Sequence, residues 1–224
     1  MSSIRMKECV KFMRLRNKKN AHEIVEKSEY IIVAPKENKG KWNTVFGNNN
    51  EIHIEIGMGK GQFITQMAIN NPNINYIGIE MYDSVILTAV NNLNEREEKI
   101  ENLRLIRMDA TEIEEVFDKE VNRIYVNFSD PWPKAKHAKR RLTSEAFLTR
   151  YDNIFINRKV IFQKTDNNDL FEFSMDSLTE HGYTLENVTR DLYSNMIEGN
   201  VATEYEKKFS DKGVKINRLE AYKD

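Results

Sequence analysis

The stretch "EIHIEIGMGKGQF", residues 51–63, decides the fold. Glu51, His53 and Glu55 alternate with Ile52, Ile54 and Ile56, the two-residue period of a β-strand with one apolar face. Gly57, Gly59 and Gly61 follow at once. Without a Cβ they let the backbone turn sharply and approach a ligand. "QFITQMAINN" then places Phe63, Met67 and Ile69 at helical spacing. Strand, glycine turn and helix in that order open an α/β unit. The amides at the start of the helix point toward the turn.

The pattern repeats toward the C-terminus. "NYIGIE" (residues 75–80), "LRLIRM" (103–108), "RIYVNF" (123–128) and "KVIFQK" (159–164) read as strands. Between and after them, "DSVILTAVNNLNEREEKI", the acidic "TEIEEVFDKE", "TSEAFLTRYDNIF" and "NDLFEFSMDSLTEHG" read as helices. Thr143 and Ser144 are the N-cap candidates of the third, and Gly182 closes the fourth. Weaker strands are expected around residues 183–188 and 214–221. This alternation predicts an α/β fold, doubly wound about a mostly parallel sheet, over residues 51–224. Residues 1–50 read as a flexible basic N-terminal arm and a turn-rich lead-in, "APKENKGKWNTVFGNNN", with the first twelve residues alternatively an upstream extension.

Of the 224 residues, 40% are hydrophobic and 31% charged, with both signs mixed and a net charge of −1, as in a soluble globular chain. No apolar run is long enough for a membrane-spanning helix, and no secretory signal is visible. The single Cys9 leaves no internal disulfide, so a reducing cytoplasm is the expected location. His22, His53 and His181 lack metal-ligand spacing, and no metal is expected. Basic residues gather at Arg14, Arg16, Lys18 and Lys19, and again at Lys134, Lys136, Lys139, Arg140 and Arg141. A local basic face on a near-neutral chain suits a phosphate backbone, although either run alone reads as solvated surface.

Ligands of such sheets bind beyond the carboxyl ends of the strands. The glycine turn lies there. So does Glu80, 23 residues after Gly57, close to the roughly twenty at which a carboxylate meets a ribose diol. Asp109, in "MDA" after the third strand, can accept from an adenine amine. A dinucleotide turn has the form G-x-G-x-x-G, with amides kept for a pyrophosphate. Here the order is Glu55-x-Gly57-x-Gly59-x-Gly61. Glu55 would repel a pyrophosphate but can meet the cationic amino end of S-adenosylmethionine, which is the expected cofactor. After the fourth strand, "NFSDPWPKAKHAKRR" (residues 127–141) sets Asp130 in a turn held by Pro131 and Pro133, then runs into five Lys/Arg in eight residues.

Taken together, "IEIGMGKGQF", "YIGIE", "NFSDPWPKAKHAKRRLT", "FQKTDN" and "TEYEKKF" resemble the bacterial tRNA (guanine-N7-)-methyltransferases, in the same order and at compatible spacings. "MRLRNK" and "GKWNTVFG" resemble that family's N-terminal segments, so the likeness spans residues 13–224. It implies a class I methyltransferase fold whose seven-stranded sheet has an antiparallel last strand. S-adenosylmethionine would be the donor, and the variable-loop guanine of tRNA the acceptor. It also implies that Glu55, Glu80 and Asp109 contact the donor, and that Asp130 is an active-site carboxylate close to it. Lys134, Asp166, Thr203, Glu204, Tyr205 and Glu206 would contact the tRNA guanine. Two positions depart from the family: "NRKVIFQKTD" lacks a glycine before the fifth strand, and Ala202 stands where a larger aliphatic residue is usual.

Guanine N7 carries a lone pair and no proton, so its methylation needs alignment and compensation of the emerging positive charge, and no general base. Asp130 suits that compensation. An acidic side chain, Asp130 or Asp166, also accepts from guanine N1–H and its exocyclic amine. Trp132 can stack on a base or anchor its loop. The basic stripe and arm would hold the RNA backbone. The alternatives are an amino-group methyltransferase of adenine or cytosine, which would favour Pro-Pro-aromatic over Pro-Trp-Pro, a non-catalytic RNA-binding module, and a dehydrogenase. No protein partner is required, and monomer and homodimer are both open.

Overall fold

Seven strands, counted among the described residues, hydrogen-bond into one sheet. The computed structural model describes residues 21–197 and 199–224. Strands β1 (Ile52–Ile56), β2 (Asn75–Glu80), β3 (Leu103–Arg107), β4 (Arg123–Asn127), β5 (Lys159–Thr165), β6 (Thr184–Thr189) and β7 (Asn217–Lys223) stand in the order β3-β2-β1-β4-β5-β7-β6. The first five are mutually parallel, and β7 runs antiparallel to both neighbours. The seven-stranded, mostly parallel expectation holds, with the antiparallel strand inserted one place in from the edge.

The strands connect through α3 (Gln62–Asn70), α4 (Asp83–Asn94), α5 (Ile113–Val116), α6 (Glu145–Asp152), α7 (Asn168–Glu180) and α8 (Glu204–Ser210). The order of the chain reverses between β1 and β4: β2 and β3 build outward on one side of β1, β4 and β5 on the other. A crevice opens at such a switch point beyond the strand ends.

Side-chain parity divides the core in two. Ile54, Ile56, Ile77, Ile79, Ile124, Val126 and Ile161 face one layer, which holds Phe147, Leu148, Tyr151 and Phe171. Tyr76, Leu103, Leu105 and Tyr125 face the other, with Phe63, Ile64, Ile86 and Val90. Both faces of β1 are covered, so the polar half of its alternation is not solvated as a half-buried strand would be. His53 is buried against Tyr76 and Tyr125, and burial pushes its imidazole down to about 4. Helix α3 buries Phe63, Ile64 and Ala68 while Ile69 is exposed, a stripe rotated from the one the sequence suggested. Ser144 stands at the N-cap of α6, but its hydroxyl donates to Lys139 O, and Thr143 bonds Ser174 in the core.

Residues 30–46 pack onto the sheet and its helices. Tyr30 O and Ile32 N bond Leu105 of β3. Trp42, in α2 (Trp42–Phe46), is fully buried on Phe117 and donates from its indole N–H to Val116 O at 2.9 Å. Val25, in α1 (Ala21–Glu26), joins the core beside α4. The arm residues Arg14, Arg16, Lys18 and Lys19, together with Cys9, lie outside the described residues.

Candidate active site

The site is built from alternate residues of one sheet face. In register, Glu55 of β1 lies opposite Gly78 of β2 and Tyr125 of β4, and Asn127 of β4 lies opposite Lys164 of β5. Glu55, Asn127 and Lys164 therefore project from adjacent strands into the same layer, near the carboxyl ends. Glu55 is 2% exposed. Its Oε1 accepts from Asn127 Nδ2 at 2.9 Å, while its buried Oε2 has no hydrogen-bond partner. Burial raises this carboxyl to about 8, against the opposing pull of Asn127 and the Lys164 charge.

The glycine turn follows directly. Gly57 N and Met58 N both donate to Ile79 O, extending the β1–β2 pairing past the strand. Gly57 and Gly59 have φ of 76° and 58°, and a Cβ on either would meet nothing within 4 Å. The turn therefore presents bare backbone to open space. Met58 folds beneath it onto Gly78, where an added Cβ would lie 2.3 Å from the Met58 sulfur.

Glu80, at the end of β2, is 7% exposed. It accepts from Met81 N at 2.8 Å, Tyr82 N at 3.1 Å and Gly59 N at 3.2 Å. Burial raises its carboxyl despite these amide bonds, and the charge of Asp130 adds to the rise. The charge of Asp130 thus reaches Glu80 across the crevice. Asp109 is exposed at the end of β3, and its Oδ1 accepts from the amide and hydroxyl of Thr111, both at 2.8 Å.

Asp130 is exposed in a turn whose backbone is strained on both sides: Phe128 has φ of 51° and Trp132 of 43°. Non-glycine residues in this region cost on the order of 1 kcal/mol each, so the surrounding structure must hold them. Arg141 does so, donating from Nε to Pro131 O at 3.0 Å and from Nη2 to Trp132 O at 3.1 Å, with its guanidinium over Phe173. Arg140 lies over the Trp132 ring at 4.9 Å and His137 meets that ring edge-on. The basic stripe is therefore not one uniform surface. Lys134, Lys136 and Lys139 are exposed, whereas Arg141 is built into the turn.

On the far side, Asp166 follows β5 and accepts from Tyr205 OH at 3.1 Å. Tyr205 stacks on Phe209 and leans on Phe128. Glu204 is exposed and pairs with Lys60 of the glycine turn at 2.7 Å. Thr203 and Glu206 form a reciprocal capping box at the start of α8. Glu206 is fully buried and bonds Lys164 Nζ at 2.6 Å. Its carboxylate is engaged inside the fold. A cavity of about 600 Å³ opens beside Asp166, with Asn168, Arg190, Asp191 and Lys215 in its wall. The sequence does not single out Asn127, Gly78 or Lys164 as site-building residues, and it marks Arg141 only as part of the basic stripe. Asn127 had a signal, a lone amide closing a strand three residues before Asp130.

Among the described residues no group of three His, Cys, Asp or Glu is arranged to hold a metal, and no helix is long and apolar enough to cross a membrane.

A seven-stranded sheet with β7 inserted antiparallel, carrying a glycine turn and strand-end carboxylates at its switch point, is the class I methyltransferase fold. Solved methyltransferase structures share it. One, described as an antibiotic-related methyltransferase, aligns with a TM-score of 0.60 at 16% identity over 82% of this chain and 92% of its own. The 16S rRNA methyltransferase KamB aligns with a TM-score of 0.60 at 12% identity over 82% and 91%. A family model described as putative methyltransferase matches residues 49–219. The tRNA (guanine-N(7)-)-methyltransferase of Lachnoclostridium phytofermentans is 53% identical over 214 residues, covering 95% of this chain and 99% of that protein. The Bacillus subtilis protein of the same name is 50% identical over 210 residues, covering 93% and 98%. The chain belongs to the tRNA (guanine-N7-)-methyltransferase family.

Proposed function

We propose that this protein transfers a methyl group from S-adenosylmethionine to N7 of the variable-loop guanine of tRNA, with donor and acceptor meeting at the β1–β4 switch point. The observation that carries the reading is the gathering of Glu55, the glycine turn, Glu80 and Asp130 at one crevice, in a chain half identical to tRNA guanine-N7 methyltransferases. The cradle fits the donor in two respects. Gly57 and Gly59 leave open space where side chains would stand, and Glu55 keeps one buried oxygen unpartnered.

Donor binding is assigned to Glu55, Gly57, Gly59, Glu80, Asp109 and Asp130. Glu55, once ionised, would meet the donor's ammonium. Glu80 would exchange its amide bond to Gly59 for a ribose diol, and Asp109 would accept from the adenine amine. When bound, S-adenosylmethionine supplies a methyl group on a sulfonium, which passes to N7 while sulfur retains the bonding pair. The chain's own contribution is alignment and charge. Asp130, fixed by Arg141 and the two prolines, places a carboxylate where positive charge develops on the purine, the counterpart of an oxyanion hole. No group need remove a proton, because N7 carries none.

Lys134, Asp166, Glu204 and Tyr205 form the acceptor side, with Thr203 and Glu206 shaping the segment that presents two of them. Asp166 would accept from guanine N1–H or its exocyclic amine. The guanine must leave a tertiary contact before it can react, and phosphate contacts of Lys136 and Lys139 would offset that cost. Incubation with bulk tRNA and labelled donor, followed by nucleoside analysis, tests the proposal. Label is expected in 7-methylguanosine. Label confined to methylated adenine or cytosine, or no transfer at all, refutes it.

A further inference from the structure

Lys164 is a buried cation that the proposed reaction does not use. It is 5% exposed, and its ammonium donates to Glu206 Oε2 at 2.6 Å, Val201 O at 2.8 Å and Asn200 Oδ1 at 3.4 Å. All three acceptors lie in residues 200–206. The ammonium also lies 5.0 Å from the centroid of the Phe63 ring, in the helix that leaves the glycine turn. Glu206 further accepts from Tyr193 OH at 3.3 Å, Asn200 Nδ2 at 3.2 Å and Thr203 N at 3.3 Å.

Two carboxylates act on this cation: Glu206 in direct contact, and Glu55 from the same face of the sheet. Burial lowers the ammonium's pKa, while Glu206 and Glu55 pull it back up and Arg218 opposes them. Glu55 in turn feels Lys164 as its favourable charge and Glu80 as its unfavourable one. Stability does not account for such an arrangement, because apolar side chains of similar volume commonly serve a core as well as a buried ion pair.

We propose that Lys164 is a positioning residue joining the two halves of the cleft: it pins residues 200–206 against the end of β5 and sets one buried positive charge toward Glu55. The proposal rests on the methyl-transfer reading and deepens it. The pinned segment carries Glu204, bonded to Lys60 of the glycine turn, and Tyr205, bonded to Asp166. Releasing Lys164 loosens both contacts at once and removes the charge that favours ionised Glu55.

The test compares the wild type with Lys164→Met/Glu206→Gln, which empties the pair of charge while a neutral side chain keeps the capping box, and with Lys164→Arg. Unfolding of the ligand-free protein is followed from pH 5 to 9, and KM and kcat for tRNA are measured separately. The Glu55-linked loss of stability sets in at the unfolded carboxyl's pKa in wild type and double variant alike, so the midpoint compared is the upper one, where folded Glu55 ionises. In the double variant the loss should continue about one pH unit further before it levels off. Its kcat/KM for tRNA should fall roughly a hundredfold, the cost of misplacing groups by about 1 Å. Lys164→Arg should restore the pH midpoint and recover kcat/KM only in part, since a planar fork replaces a compact ammonium. An unchanged midpoint overturns the proposal, whether or not kcat/KM falls, and so does wild-type kcat/KM. If the double variant does not fold, the arginine variant decides: reduced kcat/KM at the wild-type midpoint supports the role, and unchanged kcat/KM overturns it. Absence of 7-methylguanosine with wild-type protein would instead refute the proposed function, while the midpoint, read without tRNA or donor, still judges Lys164.

Discussion

Replacing Glu55 with Gln should make the fold less sensitive to alkaline pH while impairing donor binding. The carboxyl is buried with one oxygen unpartnered, and it titrates at about 8 instead of 4.5. Between those values the folded state keeps a proton that the unfolded state has lost, so stability falls as pH rises through the window. From pH 5 to pH 8 that linkage amounts to about 3 kcal/mol at roughly 1.4 kcal/mol per pH unit. A glutamine amide matches the neutral carboxyl in shape, can still accept from Asn127 and has no proton to lose. The stability gap between variant and wild type should therefore widen by about 3 kcal/mol over this range, or roughly 6–12 °C in Tm for a chain of this size. Urea unfolding followed by far-ultraviolet circular dichroism at pH 5, 6, 7 and 8 measures the gap. S-adenosylhomocysteine titration should show weakened binding by the same variant. Parallel pH curves would refute the reasoning, because they would mean that Glu55 is already ionised in the folded protein at neutral pH.

Asp130→Ala should leave donor affinity close to wild type while methyl transfer falls by roughly 10²–10³, the usual cost of one preplaced electrostatic group, and wild-type single-turnover rates would remove the assigned role. Lys136→Ala/Lys139→Ala should weaken tRNA binding and flatten its dependence on salt, whereas Arg141→Ala should lower kcat with the salt slope intact, because Arg141 clamps the turn. Equal effects of the two on the slope would contradict that division. Gly78→Ala forces the Met58 sulfur aside and should destabilise by about 1–3 kcal/mol in chemical denaturation. Gly59→Ala meets open space, so its cost should be confined to about 1 kcal/mol of backbone strain and a loss of donor affinity.

The strands and helices were legible because their periods are local. Residues 75–80 were read as a strand to the residue, and the glycine turn lay where expected. Burial was harder to read. The alternation of β1 says which side chains share a face, but not that α3 covers the polar one, so His53 and Glu55 look half-solvated in sequence and are buried in the fold. The unevenness of the basic stripe is hidden for a related reason. Composition cannot distinguish Lys139, which faces solvent, from Arg141, whose donors reach back to carbonyls nine and ten residues earlier.

The sequence by itself determined the α/β alternation, the chemistry available at each strand end and the family, since all three are carried by short contiguous motifs. Only tertiary structure decided that β1 lies beside β4, which brings Asn127 to Glu55 across 72 residues, and that Lys164 reaches Glu206 across 42. The physical reason is that strand order and burial arise from non-local packing. The charge state of a carboxyl follows the dielectric and the neighbours that packing creates, neither of which is written in its own segment.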